Sequence, residues 1–380
     1  MVVAFVVHRF IVSPRQQNKR NGSRIQGFMI GYGFIIPFLL LYPLALLDAL
    51  GLKNITLMVC ICGALPNLLL LRVVEAMHDT LPSFATESRG NLVLYYAGTL
   101  QVLMDEETGR PVPLTTSIFV TKAMRFLYIF LQTGFLFSLL IPCEYHIAPQ
   151  RQIGSFLDLF YWGNLFNAYM VALLTSSILD GGASGLGILT SICTGMAMQS
   201  FSDFPMSRSS SPSDFWGNRW DRPVASGLKR GAFVPMRKCG LSRHASAILT
   251  FLVSGLIHEY MLFLMTKRQG TIGFRSSSSS SSNNSNNVTP EAYAPNYGNQ
   301  IFFFLWNGVV LLLERALEGS PIIQWTSKHL PQPLKTALVL LTVLPVAHLF
   351  TDEYIRSSFY GDTAFAFPLI SLHRLEGPSS

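Results

Sequence analysis

An all-α, polytopic integral membrane protein is the fold class this sequence predicts, and three observations predict it. The chain of 380 residues is 49% hydrophobic and only 13% charged, and its mean hydropathy is +0.36. A soluble globule of that length needs far more charge to cover its surface. Apolar runs of membrane-crossing length recur along it, continuous rather than alternating, which favours helices over a β-barrel. Counting them gives about eight spans and one or two partial elements, so about eight to nine transmembrane helices are expected.

The elements follow in order. Residues 1–13 hold a short apolar run broken by His8 and Arg9. It lacks a basic start and a small-residue cleavage site, so a surface-lying helix is expected rather than a signal peptide. With the polar stretch 15–24 it makes a basic amino-terminal arm, 1–26, ahead of one membrane-embedded domain, 27–350. The first span covers 27–47, with Pro37 and Pro43 expected to bend it. The second covers 55–77, where Arg72 and Glu75, three apart, are expected to pair on one helix face. The run 92–103 is too short to cross and reads as re-entrant or interfacial. Spans follow at 118–141, 156–179 and 183–199, the last two divided by the turn signal Asp180-Gly-Gly. After a long polar connection come spans at 245–266, 300–317 and 335–350, then a mixed tail, 351–380.

The net charge is +7, carried in loops and the amino-terminal arm. In a membrane protein this is first a topology signal, and it places the basic loop 201–244 on the cytoplasmic face. The Ser/Asn-rich loop 275–290 reads as disordered. Asn283-Asn-Ser and Asn287-Val-Thr match the glycosylation acceptor pattern, which places loop 267–298 in the lumen, one span away from the basic loop. No basic, aromatic-bearing soluble module stands apart, so nucleic acid is not an expected partner. The five cysteines show no disulfide or zinc pattern.

Two stretches can carry chemistry. In Thr250-Phe-Leu-Val-Ser-Gly-Leu-Ile-His-Glu-Tyr, His258 lies inside an apolar span, where a titratable ring is costly unless it faces protein, water or substrate. Its near-neutral pKa suits it to take a proton from a hydroxyl and return one to a leaving group. Ser254 and Gly255 place small groups beside it, which leaves room either for a substrate or for a neighbouring helix. Adjacent Glu259 points elsewhere on the helix and gets no proton-transfer role. The second stretch, Ser213-Asp-Phe-Trp-Gly-Asn-Arg-Trp-Asp, reads as an interfacial aromatic belt or as a site whose Arg219 and Arg222, with Lys229 and Arg230 beyond, hold an anionic group.

Together these stretches resemble the wax synthase branch of the membrane-bound O-acyltransferase (MBOAT) superfamily. There an Asp-Phe-Trp-Gly-Arg-Arg-Trp patch precedes a Val-Ser-Gly-(Leu/Ile)-X-His-Glu helix by several tens of residues. Gln300-Ile-Phe-Phe-Phe-Leu-Trp-Asn-Gly is a softer match, and the resemblance covers about 201–317. It implies a helical core with a substrate tunnel, and His258 as the catalytic histidine. Asp221, at the end of the patch, is carried over as a second catalytic candidate. Asp214, Phe215, Trp216, Asn218, Arg219, Trp220, Arg222, Ser254 and Asn307 are carried over as substrate-binding. Two positions depart from the pattern: Asp221 stands where Asn or His is common, and Asn218 where Arg is usual.

The resemblance further implies a fatty acyl group moved from acyl-coenzyme A, as co-substrate, to a lipophilic alcohol in the bilayer of the endoplasmic reticulum. The acceptor is a long-chain alcohol giving a wax ester, or a sterol or diacylglycerol. No cofactor or metal is expected. Two other readings stay open: a transporter with an intramembrane path through His258, Glu259, Asn307 and Glu314, and an inactive lipid-binding homologue.

Overall fold

A computed structural model describes residues 1–14, 21–51, 54–277 and 294–369. Residues 275–277 of the expected Ser/Asn loop continue a helix, Arg243–Ser277, while the rest of that loop, its acceptor sites and the last residues of the tail fall outside this set. Among the described residues the secondary structure is helical apart from three isolated antiparallel bridges, Val102 with Met198, Met104 with Pro111 and Pro113 with Met196. Among the described residues six helices are long and apolar enough to cross a bilayer: α1 (Arg24–Leu50), α2 (Ile55–Met77), α3 (Thr116–Cys143), α4 (Trp162–Thr194), α5 (Arg243–Ser277, apolar over Arg243–Lys267) and α6 (Asn299–Leu317). A bent pair, α7 (Gln332–Val346) and α8 (His348–Arg356), meets at 57° and makes a seventh only if counted as one broken span rather than a re-entrant loop.

The count differs from the expected eight or nine chiefly at one place. Residues 156–179 and 183–199 are not two spans divided at Asp180-Gly-Gly; α4 runs unbroken from Trp162 to Thr194. The turn signal is overridden because Asp180 is satisfied inside the bundle. Its carboxylate accepts from Arg125 Nη2 on α3 at 2.7 Å, from Ser202 Oγ at 2.7 Å and from Ser184 Oγ at 2.8 Å. Further along the same helix Gly185 serves packing: a Cβ there would lie 3.2 Å from the Phe126 ring of α3.

The expected Arg72–Glu75 pair also differs. Arg72 donates to the carbonyl of Gly98 at 2.8 Å, and Glu75 faces Arg230 of the polar connection instead. The 92–103 run is helical only to Ala97, then extended where Val102 meets Met198. The amino-terminal helix Val2–Val12 buries Ala4, Val7 and Ile11 and exposes Val2 and Phe5. The boundary drawn at residue 350 falls inside α8; the core continues through Phe359–Ala364, where Tyr360 is 1% exposed and bonds Thr175 of α4.

Proline shapes several helices in one way. A proline ring clashes with the carbonyl four residues earlier. Here a widened, π-type turn covers that carbonyl ahead of Pro37 (Gly31–Ile35), Pro66 (Val59–Ala64) and Pro235 (Lys229–Phe233). The loosened turn accepts the ring without breaking the helix. At Pro345 the helix does break, between α7 and α8. Gln300 of α6 then supplies Nε2 to the carbonyls of Leu349 and Phe350 at 3.3 and 3.1 Å.

α5 and α6 are the most closely packed pair near the candidate residues. A Cβ on Gly255 would lie 2.8 Å from Ile301 Cα, backbone that cannot yield. Of the two uses left open for the small residues beside His258, Gly255 serves the neighbouring helix.

Removing one partner of a buried, hydrogen-bonded charge typically costs about 3–5 kcal/mol. Asp180→Ala is therefore expected to lower the apparent melting temperature of the detergent-solubilised chain markedly, because Arg125 loses its carboxylate. An unchanged melting curve would show that the continuity of α4 does not depend on this network.

Candidate functional site

The aromatic patch is built by local rules. Ser211 caps a short helix by accepting from the Asp214 amide at 3.1 Å. The chain then widens over Phe215–Arg219, so that the Trp220 amide reaches back to the Phe215 carbonyl at 2.8 Å. This turn gathers three aromatic rings: Phe215 and Trp220 stack with centroids 5.5 Å apart, and Trp216 meets both edge-on. The patch is fixed to α6 at two points. Ser213 gives its amide and hydroxyl to Glu314 at 2.8 and 2.7 Å, and Trp216 gives its indole N–H to Asn307 Oδ1 at 3.1 Å. Asn307, fully buried, donates in turn to the Phe303 carbonyl at 2.8 Å.

Asp221 closes the patch in a left-handed conformation, φ +40°, which Asp and Asn tolerate better than other side chains. Its carboxylate caps the next helix by accepting from the Val224 amide at 3.2 Å, with Pro223 in the first turn where a missing N–H costs nothing. Burial raises the Asp221 carboxyl to about 7, and the Val224 bond opposes that only in part.

His258 sits on α5 with its Nδ1 2.8 Å from the Ser254 carbonyl oxygen. A carbonyl only accepts, so Nδ1 carries the proton and Nε2 keeps its lone pair. Two rings hold the imidazole: Phe304 stacked at 4.5 Å and Phe350 edge-on at 5.3 Å. Neighbouring Glu259 turns away and accepts the amides of Gly298 and Gln300 at 2.8 and 3.1 Å, capping α6.

These pieces open on one cavity of about 740 Å³, within the roughly 300–1,000 Å³ of small-molecule sites. Its wall includes His258, Ser254, Asp221, Asn218, Trp216 and Trp220, and also Phe215. Arg243 and His258, fifteen residues apart on α5, both line it, so the cavity runs about 22 Å along that helix. Its polar end carries Lys229, Arg230, Arg243 and Arg315, which outnumber Glu314 and Glu318 there, and Phe304, Phe350 and Thr351 surround the histidine end.

Four expected substrate-binding residues are not on this wall: Asp214, Arg219, Arg222 and Asn307. The acidic side chains of the patch occupy its arginines. Arg219 is bound to Asp214 at 2.7 Å and Asp203 at 2.9 Å, and Arg222 donates to the Asn218 carbonyl at 2.6 Å. They brace the patch rather than face the cavity, and Asn307 orients Trp216 from behind. Phe304 lay unremarked within the 300–308 match. Phe350 carried no signal, because only the bend before α8 brings it to the ring.

Comparison with known proteins agrees with this geometry. Residues 200–276 match the model of the membrane bound O-acyl transferase family. That match takes in both motif-bearing stretches, the aromatic patch and the His258 helix. The chain is also similar to three curated proteins of Arabidopsis thaliana. It is 40% identical over 65 residues to a probable long-chain-alcohol O-fatty-acyltransferase 9, covering 15% of this chain and 19% of the relative. To a putative long-chain-alcohol O-fatty-acyltransferase 10 it is 32% identical over 152 residues, 38% of this chain and 36% of the relative. To a probable long-chain-alcohol O-fatty-acyltransferase 2 it is 25% identical over 186 residues, 46% and 44% respectively. The matched part of the chain spans less than half the length of each of these relatives. The matched segment and the geometry single out the same helix and the same patch.

The state of Asp221 yields a pH prediction. Its carboxyl is raised in the folded chain, so the folded state binds more protons than the unfolded one between about pH 4 and pH 7. Stability from this group is thus lost as pH rises through that window. Asp221→Asn keeps the cap and the left-handed tolerance but cannot ionise. The variant is expected to melt higher than the parent chain at pH 8, with the difference closing by pH 5. A difference that is constant with pH would contradict a raised carboxyl at Asp221.

Proposed function

We propose that this chain is an acyl-coenzyme A-dependent O-acyltransferase that esterifies the hydroxyl of a lipophilic alcohol, with a long-chain alcohol giving a wax ester as the leading acceptor. The observation that carries the reading is a single cavity with a cationic end and, about 22 Å deeper along α5, a histidine with a free Nε2. A long-chain acyl thioester has the matching shape: a charged carrier that stays in water and an apolar chain that prefers the membrane.

In this mechanism Nε2 of His258 accepts the proton of the alcohol as its oxygen attacks the thioester carbonyl carbon. The C–S bond then breaks, the ester leaves, and the coenzyme A thiolate takes the proton back from the imidazolium. The transient imidazolium lies over the face of Phe304, a cation–π contact that favours the charged ring at that moment. Phe304 and Phe350 also keep water from the ring, so the acyl group meets the alcohol rather than hydroxide. The Nδ1–H bond to Ser254 fixes which nitrogen acts, and Asp221 and Asn218, which line the cavity wall, would contact the donor. The polar end of the cavity would face the cytosol and the membrane would be the endoplasmic reticulum, where acyl-coenzyme A is drawn from water and the acceptor from lipid.

The test uses membranes from cells expressing the full chain, labelled acyl-coenzyme A, and a panel of long-chain alcohols, sterols and diacylglycerol. Ester is expected for at least one acceptor, and His258→Ala is expected to lose about 10²–10⁴-fold of the rate at normal protein abundance, the usual worth of a general base. Ester formation that survives His258→Ala would remove this mechanism; no ester with any acceptor, from a folded chain, would remove the enzyme.

A further inference from the structure

The four cations at the polar end of the cavity are not held alike. Lys229 and Arg243 are exposed, and Arg315 makes a surface pair with Glu318. Arg230 is fixed from behind by residues far upstream in the chain. Its Nε lies 3.4 Å from Oε1 of Glu75, a carboxylate with 0% exposure at the end of α2. Its Nη2 donates to the Tyr95 hydroxyl at 3.0 Å, and that hydroxyl donates to Glu75 Oε2 at 2.6 Å. The Arg230 backbone is held too, since its carbonyl accepts from Thr80 Oγ1 at 2.7 Å. Arg72 stacks over the Tyr95 ring at 4.6 Å and keeps it in place.

A guanidinium carries five N–H donors in a rigid plane. Nε and Nη2 are turned inward to Glu75 and Tyr95, and Arg230 is still part of the cavity wall. The donors on Nη1 therefore remain for an anionic group entering there.

We propose that Glu75 and Tyr95 are positioning residues for Arg230, and that Arg230 so held is the anchor for the phosphate-bearing carrier of the acyl donor. The proposal rests on the acyl-transfer reading and deepens it. It also gives the first half of the chain, outside the family match at 200–276, a part in the site.

Two opposed effects decide the sign of a substitution at Glu75. Removing its charge raises the local positive potential, which would tighten anion binding. That gain reaches an entering anion only from behind the guanidinium and across the water of the mouth, so it is expected to be less than about tenfold. Releasing Arg230 gives up a pre-oriented set of donors to a charged group, a loss of about tenfold or more in binding. Loss of orientation wins, so weaker binding of the carrier is expected.

The experiment measures binding of coenzyme A to the purified full chain in detergent, alongside steady-state transfer from palmitoyl-coenzyme A. Glu75→Gln, Tyr95→Phe and Arg230→Ala are each expected to weaken coenzyme A binding and to raise KM for the donor by about tenfold, the size of one lost charge-assisted hydrogen bond, with kcat within about twofold of the parent. Tyr95→Phe removes a single hydroxyl and keeps the ring under Arg72, which guards against loss of fold in Glu75→Gln. In the Arg230→Ala background, Glu75→Gln and Tyr95→Phe are expected to have no further effect on KM, because there is nothing left to position. Additive effects in the double variants, or a donor KM unchanged in Glu75→Gln and Tyr95→Phe while ester is still made, would overturn the inference and leave the acyl-transfer reading standing. No ester and no coenzyme A binding in the parent chain would overturn both.

Discussion

The carboxylate of Glu259 receives the first free amides of α6, and the arrangement of the site depends on that one contact. A helix leaves its first four N–H groups without partners, and a buried helix start without acceptors is costly. By meeting that need from the residue next to His258, the chain fixes the height of α6 against α5. Phe304 is thereby set over the imidazole, and Asn307, one turn further on, is set under the indole of Trp216. Close packing at Gly255 completes the register, because the two backbones meet there with no room to slide.

The same logic explains why the motif arginines are not in the cavity. A patch that must hold Trp216, Trp220 and Asp221 in a defined arrangement needs bracing on its outer side. Arg219, between Asp203 and Asp214, provides it. The cations left to meet a substrate come from the next helical segment and from α5 and α6. Motif membership and a place on the cavity wall are thus different properties: Trp216, Trp220 and Asp221 have both, Arg219 only the first.

Much of this was legible in the sequence, for reasons that can be named. The helical membrane class followed from composition and run length, since neither depends on tertiary contacts. His258 was legible because a lone ionisable group in an apolar run demands a reason. The division of 156–199 into two spans was misread because Asp180-Gly-Gly is a turn signal only where the carboxylate has no partner, and Arg125 and Ser202 lie 55 and 22 residues away. Glu75 was misassigned to Arg72 on the same ground: helix spacing identifies neighbours on one helix, but the nearer guanidinium, Arg230, arrives from the other half of the chain. Phe350 was invisible because its place is set by the break at Pro345, whose angle no local pattern encodes.

The widened turns ahead of Pro37, Pro66 and Pro235 carry a consequence for mutagenesis along these helices. Each accommodates one residue more than an ordinary turn, so everything downstream is rotated by about 100° relative to an ideal wheel. A projection drawn straight through 24–50 or 55–77 would assign lipid-facing positions to the interior after the insertion, and the reverse. Scanning variants chosen from such a diagram would sample the wrong side of α1 and α2 over the half of each helix that follows its proline.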